Sequence, residues 1–259
     1  MAPARPLSRS LKLTVLSALL PGLLAAQGGF QGAPPKNLQV LPKDLSRAEV
    51  VGRMRIIAAS LGVRCEFCHV RTTGPDGRQI DDDASDDKDT KKTAREMMKM
   101  VNAINDQYLI AGMGKQLTDR HRVTCATCHH GLSKPRTIQA ELADAIEAKD
   151  VDSAVTLYQA LRTKYYGTAA YDFGESAILL LVPQGQLPIP RPAAITLLKL
   201  NLVNYPQSVP TLSALVQQSA QAGDTAGAID YANKAIALQP DNPQLKNMLN
   251  RLKGVRPNP

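Results

Sequence analysis

Between Ser46 and Gly62, polar and apolar positions alternate at helical spacing: Val50, Met54, Ile57, Ala58 and Leu61 fall on one stripe. Ser46 and Glu49 form a capping box ahead of the stripe and Gly62 follows it, so the pattern predicts a helix ending at Gly62. A second stripe, Met97, Val101, Ile104 and Tyr108, runs through TAREMMKMVNAINDQYL. This helix is expected to open on the capping-box pair Thr93 and Glu96 and to be broken by Gly112 and Gly114. From about Thr137 the chain turns rich in Ala, Leu and Gln, in helical stretches separated by Asp, Gly and Pro. There Tyr205-Pro206-Gln207-Ser208 and Gln239-Pro240-Asp241-Asn242 stand one 34-residue period apart, with Gly223-Asp224 at the turn between paired helices. The stretch from Asp150 to Val182 reads as an earlier, degenerate copy.

The first residues have a different pattern. Arg5, Arg9 and Lys12 precede an apolar run from Leu13 to Ala26 that carries no acid, the form of an export signal cleaved near Ala26. The run is shorter than the roughly 20 residues that cross a bilayer, and an uncleaved N-terminal anchor is its alternative. Export implies a periplasmic protein, free or associated with the cytoplasmic membrane. The signal also takes three positives from the net charge of +8, and the rest are too scattered to argue for nucleic acid. A chain of 259 residues with 44% apolar content can hold one substantial core or two modest ones, and two domains are expected.

All four cysteines and two of the four histidines fall in two copies of Cys-x-x-Cys-His: Cys65, Cys68, His69 and Cys125, Cys128, His129. A thiol oxidoreductase, a pair of disulfides or a four-cysteine zinc site would leave the adjacent histidine unexplained. Covalent haem uses it: two thiols on one helical turn form thioethers to the vinyl groups, and the next imidazole turns to the iron. The motifs therefore predict two covalently bound c-type haems, with His69 and His129 as proximal ligands. For the sixth ligand, Met54 lies on its helical stripe, where packing alone also explains a methionine. In the second unit Met97, Met98, Met100 and Met113 are all candidates, as are His121 and His130. A fully bis-His protein would need both spare histidines, and His130 cannot reach the far side of the haem held by its neighbour His129.

LPKDLSRAEVVGRMRIIAASLGVRCEFCHV, followed by TAREMMKMVNAINDQYL and VTCATCHHG, resembles the cytochrome c subunit of photosynthetic reaction centres over residues 36–137. In that family a helix carrying a methionine, a turn and a Cys-x-x-Cys-His helix form the repeating haem unit. The resemblance places Met54 and Met97 at the distal ligand positions. The reaction-centre subunits commonly have four haem motifs where this chain has two, and one of their units takes its sixth ligand from a distant histidine. The 34-residue period of the tail likewise resembles a tetratricopeptide repeat.

The acidic run Asp81, Asp82, Asp83, Asp86, Asp87 and Asp89 reads as a solvated loop, because it lacks the Gly and Glu positions of an EF-hand. Arg53, Arg55, Arg64, Arg122 and Lys134 flank the motifs as candidate partners for haem propionates. The expected fold is mainly α: signal peptide 1–26, extended segment 27–44, a dihaem helical module 45–137 and a tetratricopeptide-like helical-hairpin solenoid 138–259. The expected function is transfer of single electrons between redox protein partners, a membrane-bound reaction centre or respiratory complex among them, with a protein partner on the tail. The rivals are a dihaem peroxidase with an open iron, and a repeat scaffold that haems merely brace.

Overall fold

The computed structural model describes residues 34–114, 118–182 and 189–254, so the expected export signal lies outside the described residues. Residues 34–46 run without helix or strand into α1 (Arg47–Leu61). The capping box forms as expected: the Ser46 hydroxyl accepts the Glu49 N–H at 3.3 Å and the Glu49 carboxylate accepts the Ser46 N–H at 2.8 Å. Gly62, at φ 65°, closes the helix in the left-handed conformation, and Val63 N–H returns to the Ala58 carbonyl at 3.0 Å. Val50, Met54, Ile57, Ala58 and Leu61 are partly buried, as their spacing predicted.

Past α1 the chain departs from expectation in four places. The first motif is a single 3-10 turn, Cys65–Phe67, because the backbone must leave it for an antiparallel hairpin of β1 (Val70–Thr73) and β2 (Gln79–Asp82). The hairpin pairs Val70 with Asp82 and Thr73 with Gln79, and it turns at Gly74-Pro75-Asp76-Gly77, where Gly77 takes φ 77°. The long helix begins at α2 (Asp89–Ala103), a full turn before Thr93, and Glu96 pairs with Lys99 at 2.8 Å instead of capping. That extra turn is held by tertiary bonds, from Lys91 to two loop carbonyls and from Thr90 to Phe67. Gly112 does not break the helix, which widens into a π turn at Ile104–Tyr108 and continues through α3 (Leu109–Met113) to Gly114. The second motif then forms a helix of its own, α4 (Cys125–His129).

The remaining helices are α5 (Ile138–Ala148), α6 (Val151–Tyr165), α7 (Glu175–Leu181), α8 (Arg191–Asn204), α9 (Val209–Gln221), α10 (Thr225–Leu238) and α11 (Pro243–Leu252). Thr137, Asp150, Ser208, Asp224 and Asn242 cap their helices through side-chain oxygens. The 34-residue period reappears in the backbone, from Arg191 to Thr225 and from Val209 to Pro243 at the helix starts. The closing residues repeat too, Tyr205 at φ −133°, ψ 72° and Gln239 at φ −136°, ψ 73°. One apolar cluster joins α5 to α9 through Ile138, Leu142, Tyr158, Ile178, Leu197 and Leu215. Pro35–Pro259 make up one compact unit, and no described helix is long and apolar enough to cross a membrane.

Candidate cofactor-binding site

Each motif presents one exposed and one half-buried thiol: Cys65 and Cys68 in the first, Cys128 and Cys125 in the second. None is bonded to another, and among the described residues no three of His, Cys, Asp and Glu gather as a metal-ion cluster. Burial pushes the Cys68 thiol up, and the Thr90 hydroxyl offsets part of that rise. His129 Nδ1 lies 2.7 Å from the Leu132 carbonyl, which can only accept, so Nδ1 carries the proton and Nε2 keeps its lone pair. That is the state a histidine needs to bind a metal, and the bond fixes the ring's orientation. His69 Nδ1 is buried without a hydrogen-bond partner, its nearest carboxylate, Asp83, standing at 3.8 Å. Two thiols and one oriented or orphaned imidazole in each motif fit a covalent haem with a proximal histidine.

Polar ties between backbones hold the two motifs together. Gly131 N–H, just past the second motif, donates to the Ser60 carbonyl of α1 at 2.9 Å, and α1 packs on α4. A Cβ on Gly62 would collide with the Gly131 carbonyl, so Gly62 must lack a side chain both for its φ and for this approach. In return, the start of α2 holds the first motif: Thr90 donates to the Phe67 carbonyl at 2.5 Å and Lys88 to that of Glu66. Farther along the same helix, Asn105, only 4% exposed, bonds both backbone groups of Val123, its amide donating at 2.8 Å and its carbonyl accepting at 2.7 Å.

The distal candidates are spread over these elements. Met54 is partly buried on α1, whereas Met97 and Met100 are exposed on α2 and Met98 is intermediate. Of the expected stripe, Val101 and Ile104 are partly buried, whereas Met97 and Tyr108 are exposed, Tyr108 at 70%. Lys91, Arg95 and Asn105 take the packed positions, because a polar loop docks there. Met113 ends α3, and exposed His121 receives the Thr118 N–H on its ring at 3.2 Å. His130 is exposed and caps α4 at φ 47°.

The acidic run is not a solvated loop throughout. Asp86 pairs with Arg95 at 2.9 Å and Lys91 at 3.3 Å and accepts from Asn37 and Gln39, while Lys91 also binds the carbonyls of Asp83 and Ser85. Hydrogen bonds from Asn37 and the two cations hold the Asp86 carboxyl down at about 2. Of the cations flanking the motifs, Arg122 is taken by Asp106 at 2.7 Å; Arg53, Arg55, Arg64 and Lys134 have no ion pair among the described residues. A cleft of about 250 Å³ opens beside the second motif, lined by Cys128, His130, Leu132, Arg136 and Ala170. Sequence reasoning missed Asn105, Ser60 and the pair Lys91 and Arg95. No local signal marks Asn105 or Ser60, but Lys91 and Arg95, four apart on one helix face next to an acidic run, could have been read as its docking partners.

Residues 32–180 match the family described as photosynthetic reaction centre cytochrome C subunit. The match runs past residue 137, through α5 and α6 into α7. The chain is similar to cytochrome c-554 of Chloroflexus aurantiacus, with 32% identity over 111 residues. That alignment covers 42% of this chain and spans only 24% of the relative. No solved structure matches.

Proposed function

Because this chain belongs to the photosynthetic reaction centre cytochrome C subunit family, we propose that it is an exported carrier holding two haems and passing single electrons between redox proteins. The family makes it a cytochrome c with an electron-transfer role and covalently bound haem; the count, the ligands and the location are the finer reading. Cys65, Cys68, Cys125 and Cys128 form the thioethers, His69 and His129 are the proximal ligands, and Met54 and Met97 are the distal ones. The observation that carries this is the pairing of each Cys-x-x-Cys with an imidazole whose Nδ1 is either engaged by a carbonyl, in His129, or orphaned, in His69. Haem iron supplies one-electron exchange between its ferric and ferrous states. Thioether sulfur favours the ferrous form, so Met54 and Met97 raise both potentials relative to bis-His ligation, and a filled sixth position favours relay over peroxide chemistry.

The N-terminal sequence supports a periplasmic location, free or held at the cytoplasmic membrane. Residues 45–137 act as the haem module and the 34-residue repeat of 138–259 as a tetratricopeptide-like surface for a protein partner. The donor or acceptor is a membrane-bound reaction centre or a respiratory complex.

The test is a haemochrome count with an optical redox titration of protein matured in a host that attaches c-type haem. Two haems per chain, a methionine-to-iron charge-transfer band and two raised potentials are expected. Met54→Ala should keep both haems attached and lower one potential. One haem, or high-spin iron that binds carbon monoxide or turns over peroxide, would overturn the carrier in favour of an enzyme with an open site.

A further inference from the structure

The two haem units solve one geometric problem in different ways. In the first, only Val63 and Arg64 separate the end of the methionine helix from Cys65. The left-handed Gly62 and the Val63-to-Ala58 bond therefore fix the motif relative to α1 directly. In the second, residues 115–124 separate Gly114 from Cys125. The Gly131-to-Ser60 bond and the packing of α1 on α4 tie the far side of the motif. A connection of that length does not by itself fix the near side, which something else must tie.

Asn105 is placed to do so. Its side-chain amide bonds both the N–H and the C=O of Val123, two residues before Cys125, in the manner of a neighbouring strand. Paired donor and acceptor bonds set the orientation of that backbone as well as its distance. The amide is buried, so losing it strands two backbone groups as well as two bonds. Asn105 also lies in the π turn Ile104–Tyr108, a one-residue widening of the kind that concentrates at functional sites. Beside it Asp106 pairs with Arg122, but that pair is exposed and contributes little.

We propose that Asn105 is a positioning residue for the second haem: by clamping Val123 it holds Cys125, Cys128 and His129 in register with the helix that carries Met97. The inference rests on the dihaem reading above. It requires that Asn105 act on one haem alone, since the first unit is closed by Gly62.

The experiment compares wild type, Asn105→Ala, Asn105→Asp and Asp106→Ala as matured holoproteins, by haemochrome count, near-infrared charge-transfer band and redox titration. Asn105→Ala should keep two haems, lose about half of the methionine-to-iron band and lower one of the two potentials while the other stays fixed. Asn105→Asp keeps the acceptor for Val123 N–H and should show a smaller change of the same sign; it carries the test if the alanine variant does not mature. Asp106→Ala should match wild type. Unchanged potentials and a full band in the Asn105 variants, even with a lowered melting temperature, would overturn the proposal and leave Asn105 a purely structural role. A single haem in the wild type would instead overturn the dihaem reading and this inference with it. A wild-type band worth one methionine would remove one of the two methionine assignments, and Asn105 would then be judged on the potential shift.

Discussion

Residues 35–131 and residues 132–254 are built on opposite principles. Among the described residues, every fully buried apolar side chain lies at Leu132 or beyond, whereas the first region buries Ser60, Lys91, Arg95 and Asn105, all polar. The first region instead leaves Ile56, Phe67, Met97, Met100, Tyr108 and Ile110 exposed. The second packs Leu142, Leu197, Leu198 and Leu215 to zero exposure and sets Tyr158 edge-on to Phe173 at 5.6 Å. Ordering a residue's backbone costs about 1–2 kcal/mol, and apolar burial is the main term that offsets it. The helical region meets that cost from its own sequence. The first region supplies a frame of hydrogen bonds and salt bridges with its apolar side chains partly buried or exposed, the arrangement of a segment completed by a large apolar cofactor tethered to it.

The sharpest way to break this contrast is to change Cys65, Cys68, Cys125 and Cys128 together to serine. Limited trypsin digestion should then cut within residues 36–136 and leave a resistant fragment covering α5 to α11. A full-length chain as resistant as the parent would show that the first region needs nothing attached. A lesser effect is expected from Leu197→Ala in the holoprotein, about 2–5 kcal/mol lost from denaturant unfolding of the helical region with the visible spectrum unchanged. Simultaneous loss of the haem spectrum would mean that the regions unfold as one. The smallest effect concerns acid. Asp86 titrates at about 2 in the folded chain against an ordinary value of 3.8, so its contribution is complete above 3.8 and disappears as pH falls toward 2. Amide exchange of Asn37 to Gln39 should quicken over that window, and Asp86→Asn should remove the pH dependence.

What could be read in advance divides along the same line. α1 was legible to the residue, because its cap, stripe and terminal glycine are all local features, and the 34-residue period of the tail survived into backbone angles. The start of α2 was not, since Thr93 and Glu96 offer a good local cap that the bonds of Thr90 and Lys91 override. The hairpin carried a readable signal in Gly74-Pro75-Asp76-Gly77 that the acidic run beyond it obscured. Cysteine and histidine spacing exposed the candidate site, but the residues that orient it, Asn105 and Ser60, act across 18 residues or more and have no local mark. The family match extends past residue 137 and ends at 180, inside a core shared by α5 to α9.

The contact of Gly62 with Gly131 reaches furthest in its effect. Electron tunnelling weakens exponentially with distance, so a carrier with two centres is as fast as its widest internal gap allows. Here the turn before one motif and the turn after the other meet backbone to backbone, at a point where a single methyl group would force them apart. On the dihaem reading proposed above, a position with no side chain would set how closely the two centres approach.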